Sequence, residues 1–221
     1  MKISFGLLTF VIIFGLFSSQ IALAQKSSKK GNRDDRGLSA QVDLGLPTVT
    51  IENPDSSIAY YTGIGVTGRG ILPLLDTRYF SFNLVGNAKY LDLKNTASTA
   101  SQKEIANHIG AGGGVSVMLW IFFYGIDYNY MLARHYTVGT FSQELNYNYT
   151  SAVTYYGAQI EFGQLSLGGG VSMNTATISN GATDLNMDSP YSEKTYFVFA
   201  RYSTGLTVPR MFKALFSDGK K

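Results

Sequence analysis

The sequence of 221 residues contains no cysteine and few charged residues. Without cysteine, the chain cannot form disulfides, thiolate-bound zinc or iron-sulfur centres, or a catalytic thiol. Charged residues make up 15% of the chain, whereas soluble domains typically have about 25%. The 18 basic and 15 acidic residues leave a net charge of +3, too small and too scattered for a nucleic-acid surface. We therefore predict no nucleic-acid partner.

A long apolar run occurs at the N-terminus, where it has the organisation of a secretory signal. Lys2 precedes apolar residues 3–17, and Ala22 and Ala24 supply the small residues that signal peptidase recognises. We predict a signal peptide over residues 1–24; an uncleaved anchor is the less favoured alternative. No later run reaches about 18 apolar residues, so we predict no membrane-spanning helix in the exported chain.

The exported part of the chain alternates with a period of two, the pattern of strands with two different faces. In residues 121–134, large apolar side chains occupy one face, and small or polar side chains occupy the other. The same alternation predicts eight strands, at 37–46, 57–70, 77–92, 104–120, 121–134, 147–162, 164–175 and 193–207.

The predicted connections alternate between long and short. The long ones, at 47–56, 93–103, 135–146 and 176–192, are largely polar, and those between them leave room only for tight turns. An even number of antiparallel strands with short turns at one end and long loops at the other is typical of bacterial outer-membrane barrels.

A soluble ligand-carrying barrel, like a lipocalin, is the competing interpretation. Its broad outer face would carry Lys and Glu at most positions. Here the polar face is mostly Gly, Ser and Asn, which suit a narrow interior, while Tyr and Phe lie toward the strand ends, as in membrane aromatic girdles. The pattern therefore favours the membrane barrel.

Glycine-rich strands such as 63–68 (GIGVTG) and 167–172 (LGGGVS), the aromatic strand 122–130 and the signal's cleavage motif at 22–25 (ALAQ) together resemble the small outer-membrane barrels of OmpA, OmpX and OmpW type. The resemblance covers about residues 37–207. It implies an all-β fold, an eight-stranded antiparallel up-and-down transmembrane β-barrel.

Six charged residues are predicted to point into the barrel: Asp43, Arg69, Lys89, Asp127, Glu161 and Arg201. Because a buried charge is costly unless it is paired, the equal numbers of each sign favour an ion-pair network that plugs the lumen. The alternative is that these residues line a narrow, selective pore.

Two basic segments flank the predicted barrel. Residues 25–36 and 208–221 each carry a net charge of +3. With an even strand count, both lie on the periplasmic side, where they are either solvated tails or segments attracted to the membrane surface.

Candidates for catalysis are sparse. His135, Thr137 and Glu144 provide a base, a hydroxyl and an acid near one loop, which is the residue set of a lipid hydrolase. Ordinary loop polarity is the favoured interpretation, and no phosphate loop, metal cluster or nucleotide motif is present.

We thus predict a non-enzymatic, monomeric barrel without cofactor in the bacterial outer membrane, with loops that face the environment in a structural, adhesive or other surface-interaction role. A narrow channel for small solutes or ions is second and a lipid A-modifying hydrolase third. The expected partners are outer-membrane lipid, lipopolysaccharide and the barrel-assembly machinery.

Overall fold

The computed structural model describes residues 37–52, 58–77, 79–97, 102–139, 144–178 and 189–204. The predicted signal peptide (1–24) and both predicted basic segments (25–36 and 208–221) lie outside the described residues. Within the described ranges, no helix is long and apolar enough to cross a membrane.

Eight antiparallel strands close into one barrel in chain order, β1 to β8, with β8 pairing back onto β1. The strands are β1 Ser39–Glu52, β2 Ile58–Asp76, β3 Phe80–Asn95, β4 Gln102–Leu119, β5 Phe122–Gly139, β6 Glu144–Phe162, β7 Leu165–Ile178 and β8 Ser189–Ser203. The predicted eight-stranded antiparallel barrel is confirmed.

The strand register determines how strongly the strands tilt. From Ala133, successive paired residues lead around the whole barrel and return to β5 at Phe123, ten residues closer to the turn end. A shear of ten in eight strands corresponds to a tilt of roughly 42° for ordinary strand spacings. At this size the interior is just wide enough for side chains to fill it.

Alternation separates a lipid-compatible outside from a mixed interior. On β5, Phe122, Tyr124, Ile126, Tyr128, Tyr130 and Leu132 are exposed, with Tyr128 65% exposed, whereas Asp127 and Asn129 between them are buried. Such apolar exposure is unfavourable in water but is what an outer-membrane barrel presents to hydrocarbon. The outward face belongs to the bilayer and the inward face forms the core.

The strands are longer at the loop end than the alternation predicted. β5 continues to Gly139 instead of residue 134, and β6 begins at Glu144 instead of residue 147; β8 begins at Ser189 and ends at Ser203. Beyond the apolar band the outward residues become polar, so the apolar-out alternation fades while backbone pairing continues. The long connections are correspondingly shorter than predicted.

The turn end of the barrel is tightly connected. β4 passes into β5 through Trp120, whose φ is 56°, and β6 passes into β7 through Gly163, whose φ is 68°. These positive φ values close two-residue turns that fit the twist of antiparallel strands. Both described chain ends, Gly37 and Thr204, lie at this end of the barrel.

Candidate functional site in the barrel lumen

The middle of the lumen holds one arginine between two aspartates. Arg69 on β2 places Nε 2.8 Å from Asp43 Oδ2 on β1, and Nη1 2.5 Å from Asp127 Oδ2 on β5. All three residues are buried, with at most 7% exposure. A planar guanidinium can serve two carboxylates at once, and the bridge to β5 spans the barrel rather than neighbouring strands.

Neutral side chains complete this first cluster. Gln41 Nε2 donates to Asp43 Oδ1 at 2.7 Å, and Asn87 Nδ2 donates to Asp127 Oδ2 at 2.9 Å. The Arg69 guanidinium lies 4.0 Å from the centre of the Tyr155 ring. Such partners are needed because a buried charge is costly unless hydrogen bonds replace its lost water.

A second cluster is built around Glu193 of β8. Lys89 Nζ on β3 lies 2.5 Å from Glu193 Oε1. Asn174 and Tyr191 donate to Glu193 Oε2, each at 3.1 Å, and Thr195 donates to Oε1 at 2.7 Å. Four donors on three strands thus surround one carboxylate.

The structure brings together four of the six charged residues proposed from the sequence and separates the other two from them. Asp43, Arg69, Lys89 and Asp127 lie in the central lumen. Arg201 is buried at the turn end and donates to Ser39 Oγ at 3.3 Å, while Glu161 is exposed there and accepts a 2.8 Å hydrogen bond from Gln159. Ser166 pairs in register with both Glu161 and Arg201, so these two residues form a separate group at the barrel end.

Glu193 is the functional side chain that sequence reasoning missed. It was the first residue of the predicted strand 193–207, where the boundary error is largest. Alternation back from the inward Arg201 through Phe199 and Phe197 does place Glu193 inward, and this was the available signal.

Aromatic rings and facing glycines close the turn side of the lumen. Tyr155, Phe197 and Phe199 are buried together, with Phe123 packed against them. A Cβ on Gly125 would lie 2.2 Å from Tyr155 Cζ, and one on Gly168 would lie 2.5 Å from Phe199 Cζ. Glycine is therefore required where a ring lies flat across the opposing strand.

The space left in the central lumen is small. A cavity of about 20 Å³ lies between the two charge clusters, which is room for about one water molecule. The unpartnered, buried Asp127 Oδ1 and Asn129 Oδ1 belong to residues that line it. The centre of the barrel is thus filled by side chains.

The outer third of the lumen holds a histidine and tyrosine cluster that packs with buried apolar residues, among them Val49, Leu91, Leu93 and Met131. His108 on β4 and His135 on β5 are joined by a 3.0 Å contact between their Nε2 atoms. Tyr149 OH lies 2.8 Å from His108 Nδ1, and Tyr147 OH lies 2.6 Å from His135 Nε2. Beside them Tyr61 donates a short hydrogen bond to Glu104.

The hydrolase grouping of His135, Thr137 and Glu144 does not assemble. Glu144 is exposed on the outer face, where Arg134 Nη2 donates to it at 2.9 Å, whereas His135 is buried in the lumen with Tyr147 as its hydroxyl partner. Neighbouring residues on a strand point to opposite faces, which puts the base and the acid on different sides of the wall. In the described part of the chain, no group of three or more His, Asp or Glu residues is arranged to hold a metal ion.

No protein-family model and no curated protein sequence matches the chain. Among solved structures, the chain is similar to Ail, the attachment invasion locus protein of Yersinia pestis, with a TM-score of 0.53 and 5% identity over 75% of this chain and 99% of that chain. Neisserial surface protein A also matches, with a TM-score of 0.44 and 12% identity over 76% of this chain and 97% of that chain. The outer-membrane protease OmpT of Escherichia coli matches as well, with a TM-score of 0.41 and 7% identity over 80% of this chain and 99% of that chain.

At 5% identity, the likeness to Ail concerns the fold alone. Together with the closed eight-stranded topology and the exposed apolar band, it defines the class: the fold is that of a small outer-membrane β-barrel protein.

Proposed function

We propose that this protein is exported through its N-terminal signal and inserted in the outer membrane as a closed, non-enzymatic barrel whose loop-side surface meets the environment. The short turns and both described chain ends then face the periplasm, and the four longer connections face outward. In this proposal the barrel is the scaffold, and surface interaction is carried out at the loop end.

The observation that carries the proposal is the double ion-pair closure of the lumen. The Asp43, Arg69 and Asp127 cluster and the Lys89 and Glu193 pair are buried in the same section of the barrel, beside a cavity that fits about one water. A pore lining needs hydrated charges along a continuous water path, and these charges are instead paired with one another.

The catalytic alternative receives less support from the same geometry. His135 makes both of its hydrogen-bond contacts, to His108 and to Tyr147, through the single atom Nε2. A base that activates a hydroxyl uses one ring nitrogen for the nucleophile and the other for the orienting group. The arrangement is therefore that of a packed cluster.

Lipid is the partner for which the outer face offers chemistry. Above the apolar band, the exposed basic residues on the outward face are Lys94, Lys103, Arg134 and Lys194. Cations at this depth match the phosphates of lipopolysaccharide, and we extend the proposal to this partner, to a monomeric state and to insertion by the barrel-assembly machinery.

Two measurements test the proposal. Membrane fractionation and gel migration with and without boiling test the outer-membrane barrel, because a closed barrel resists detergent until it is heated; recovery in the soluble periplasm would contradict it. Planar-bilayer recordings at pH 7.5 on refolded protein test closure. We expect no steady conductance, and a stable ion-selective current would establish the channel instead.

A further inference from the structure

Both histidines of the chain meet inside the outer third of the barrel. The sequence contains two histidines, and His108 and His135 lie on the neighbouring strands β4 and β5. His108 is fully buried and His135 is 9% exposed. Their Nε2 atoms are 3.0 Å apart, and their ring centroids are 5.3 Å apart.

The geometry of this pair is that of one shared proton. The centroid separation equals the distance between the Nε2 atoms plus the two ring radii, so the two nitrogens point directly at each other. One Nε2 must donate and the other must accept, so at least one of the two Nε2 atoms carries no proton. The ring of that histidine is then neutral. A metal ion between the two Nε2 atoms would lie about 2.0–2.1 Å from each. Two nitrogens that point at each other across 3.0 Å leave too little room for it.

The surroundings of the pair contain other titratable groups on every adjoining strand. Close to the rings are Tyr61 on β2, Tyr147 and Tyr149 on β6 and Tyr191 on β8. Glu104 on β4 is engaged by Tyr61 and by Asn95, whose Nδ2 donates at 2.6 Å. Below the pair, Glu193 is engaged by Lys89.

We propose that the contact between His108 and His135 is an acid-sensitive latch that keeps the outer third of the lumen closed. Protonation of both rings places two positive charges 3.0 Å apart in a buried site, and like charges at this separation repel strongly. Of the two nearby carboxylates, Glu193 is already paired with Lys89, and Glu104, held by the neutral donors Tyr61 and Asn95, supplies one negative charge against two imidazolium ions.

The route of opening follows from the position of His135. It lies nearer the loop end than His108, because His135 pairs with Ala106 whereas His108 pairs with Ala133. Displacement of its ring toward the mouth breaks the contacts to Tyr147 and Tyr61. The two central ion-pair clusters are unaffected, so acid opens an outer vestibule, not a continuous pore. The inference rests on the closed lumen proposed above.

Hydrogen exchange on the full protein refolded in phospholipid nanodiscs tests the latch. Protection factors, which correct for the intrinsic effect of pH on exchange, are compared at pH 7.5 and 4.5. We expect peptides from the loop-side halves of β4, β5 and β6 to lose about tenfold in protection at pH 4.5, while the turn-side halves remain unchanged. Equal protection at both pH values would overturn the proposal.

Four variants identify the source of the effect. His108→Gln and His135→Gln each keep a hydrogen-bonding side chain that cannot be protonated, and both are expected to abolish the loss of protection. Tyr147→Phe removes a neighbouring hydroxyl but keeps the pair, so it should retain the acid response. A full response in the double glutamine variant would assign the effect to the carboxylates and contradict the latch.

A measurement on the parent protein keeps the test independent of variant folding. Because the chain has two histidines, imidazole NMR signals report on this pair alone. Coupled titration of the two rings supports a shared proton, and two independent, ordinary titrations would overturn it. Steady conductance at pH 7.5 would count against the closed lumen, whereas a closed parent without an acid response would count against the latch alone.

Discussion

Lys89 and Glu193 form an ion pair across the lumen, with Nζ 2.5 Å from Oε1 and both side chains buried. They are 104 positions apart in the chain, on β3 and β8, which are separated by β2 and β1 in the barrel. The pair therefore links strands that share no backbone hydrogen bonds, and it closes the lumen at the level of the central cavity.

Removal of Lys89 should expose the cost of burying Glu193 alone. Lys89→Met should lower the free energy of unfolding by about 3–5 kcal/mol, because it leaves an unpaired carboxylate in the core. Denaturant unfolding of the protein in lipid vesicles measures this change. Lys89→Met combined with Glu193→Leu should recover much of the loss; a double variant as unstable as the single one would contradict this account.

Arg69 should be more sensitive to substitution than an ordinary cation. Arg69→Met leaves Asp43 and Asp127 without their shared partner and should cost about 3–5 kcal/mol of unfolding free energy. Arg69→Lys should recover only part of this, since an ammonium lacks the fork that reaches both carboxylates. Full stability in the lysine variant would mean that net charge, and not the guanidinium geometry, matters.

The outward face should respond to charge according to depth. Val115→Arg puts a cation into the apolar band near its middle and should cost about 2–4 kcal/mol, whereas Asn107→Arg, on the same face of β4 but at the polar outer end, should cost about 0–1 kcal/mol. Refolding yields and unfolding curves in vesicles measure both. Equal costs would place the bilayer elsewhere along the strands.

Two glycines should behave oppositely when each receives a methyl group. A Cβ on Gly125 meets the Tyr155 ring at 2.2 Å, whereas one on Gly86 has nothing within 4 Å. Gly125→Ala should therefore destabilise by about 1–3 kcal/mol, and Gly86→Ala should be neutral or stabilising by up to about 1 kcal/mol. Thermal unfolding compares them, and rescue of Gly125→Ala by Tyr155→Leu would assign the cost to the ring.

The number of strands and the phase of each strand follow from the sequence alone. A strand that faces hydrocarbon on one side and a narrow core on the other must alternate, so the inward placement of Asp43, Arg69, Lys89 and Asp127 is already present in the parity of their positions. The same reasoning loses its signal beyond the apolar band, where the outward residues become polar as well. This is why the extensions of β5 and β6 were missed; Glu193 was missed because the predicted strand began at that residue, although its parity with Arg201 already places it inward.

Only the closed barrel decides which inward groups meet. Parity says that Arg69 points inward, but the shear of the barrel places it between Asp43 and Asp127. Likewise, His108 and His135 meet because of the register in which β4 and β5 pair. Glu144 does not contact His135, because Glu144 lies on the outer face of the barrel and His135 lies in the lumen. A sequence determines the face of a strand locally, through a period of two, whereas contacts across the lumen depend on registers summed over eight strands, which no local pattern contains.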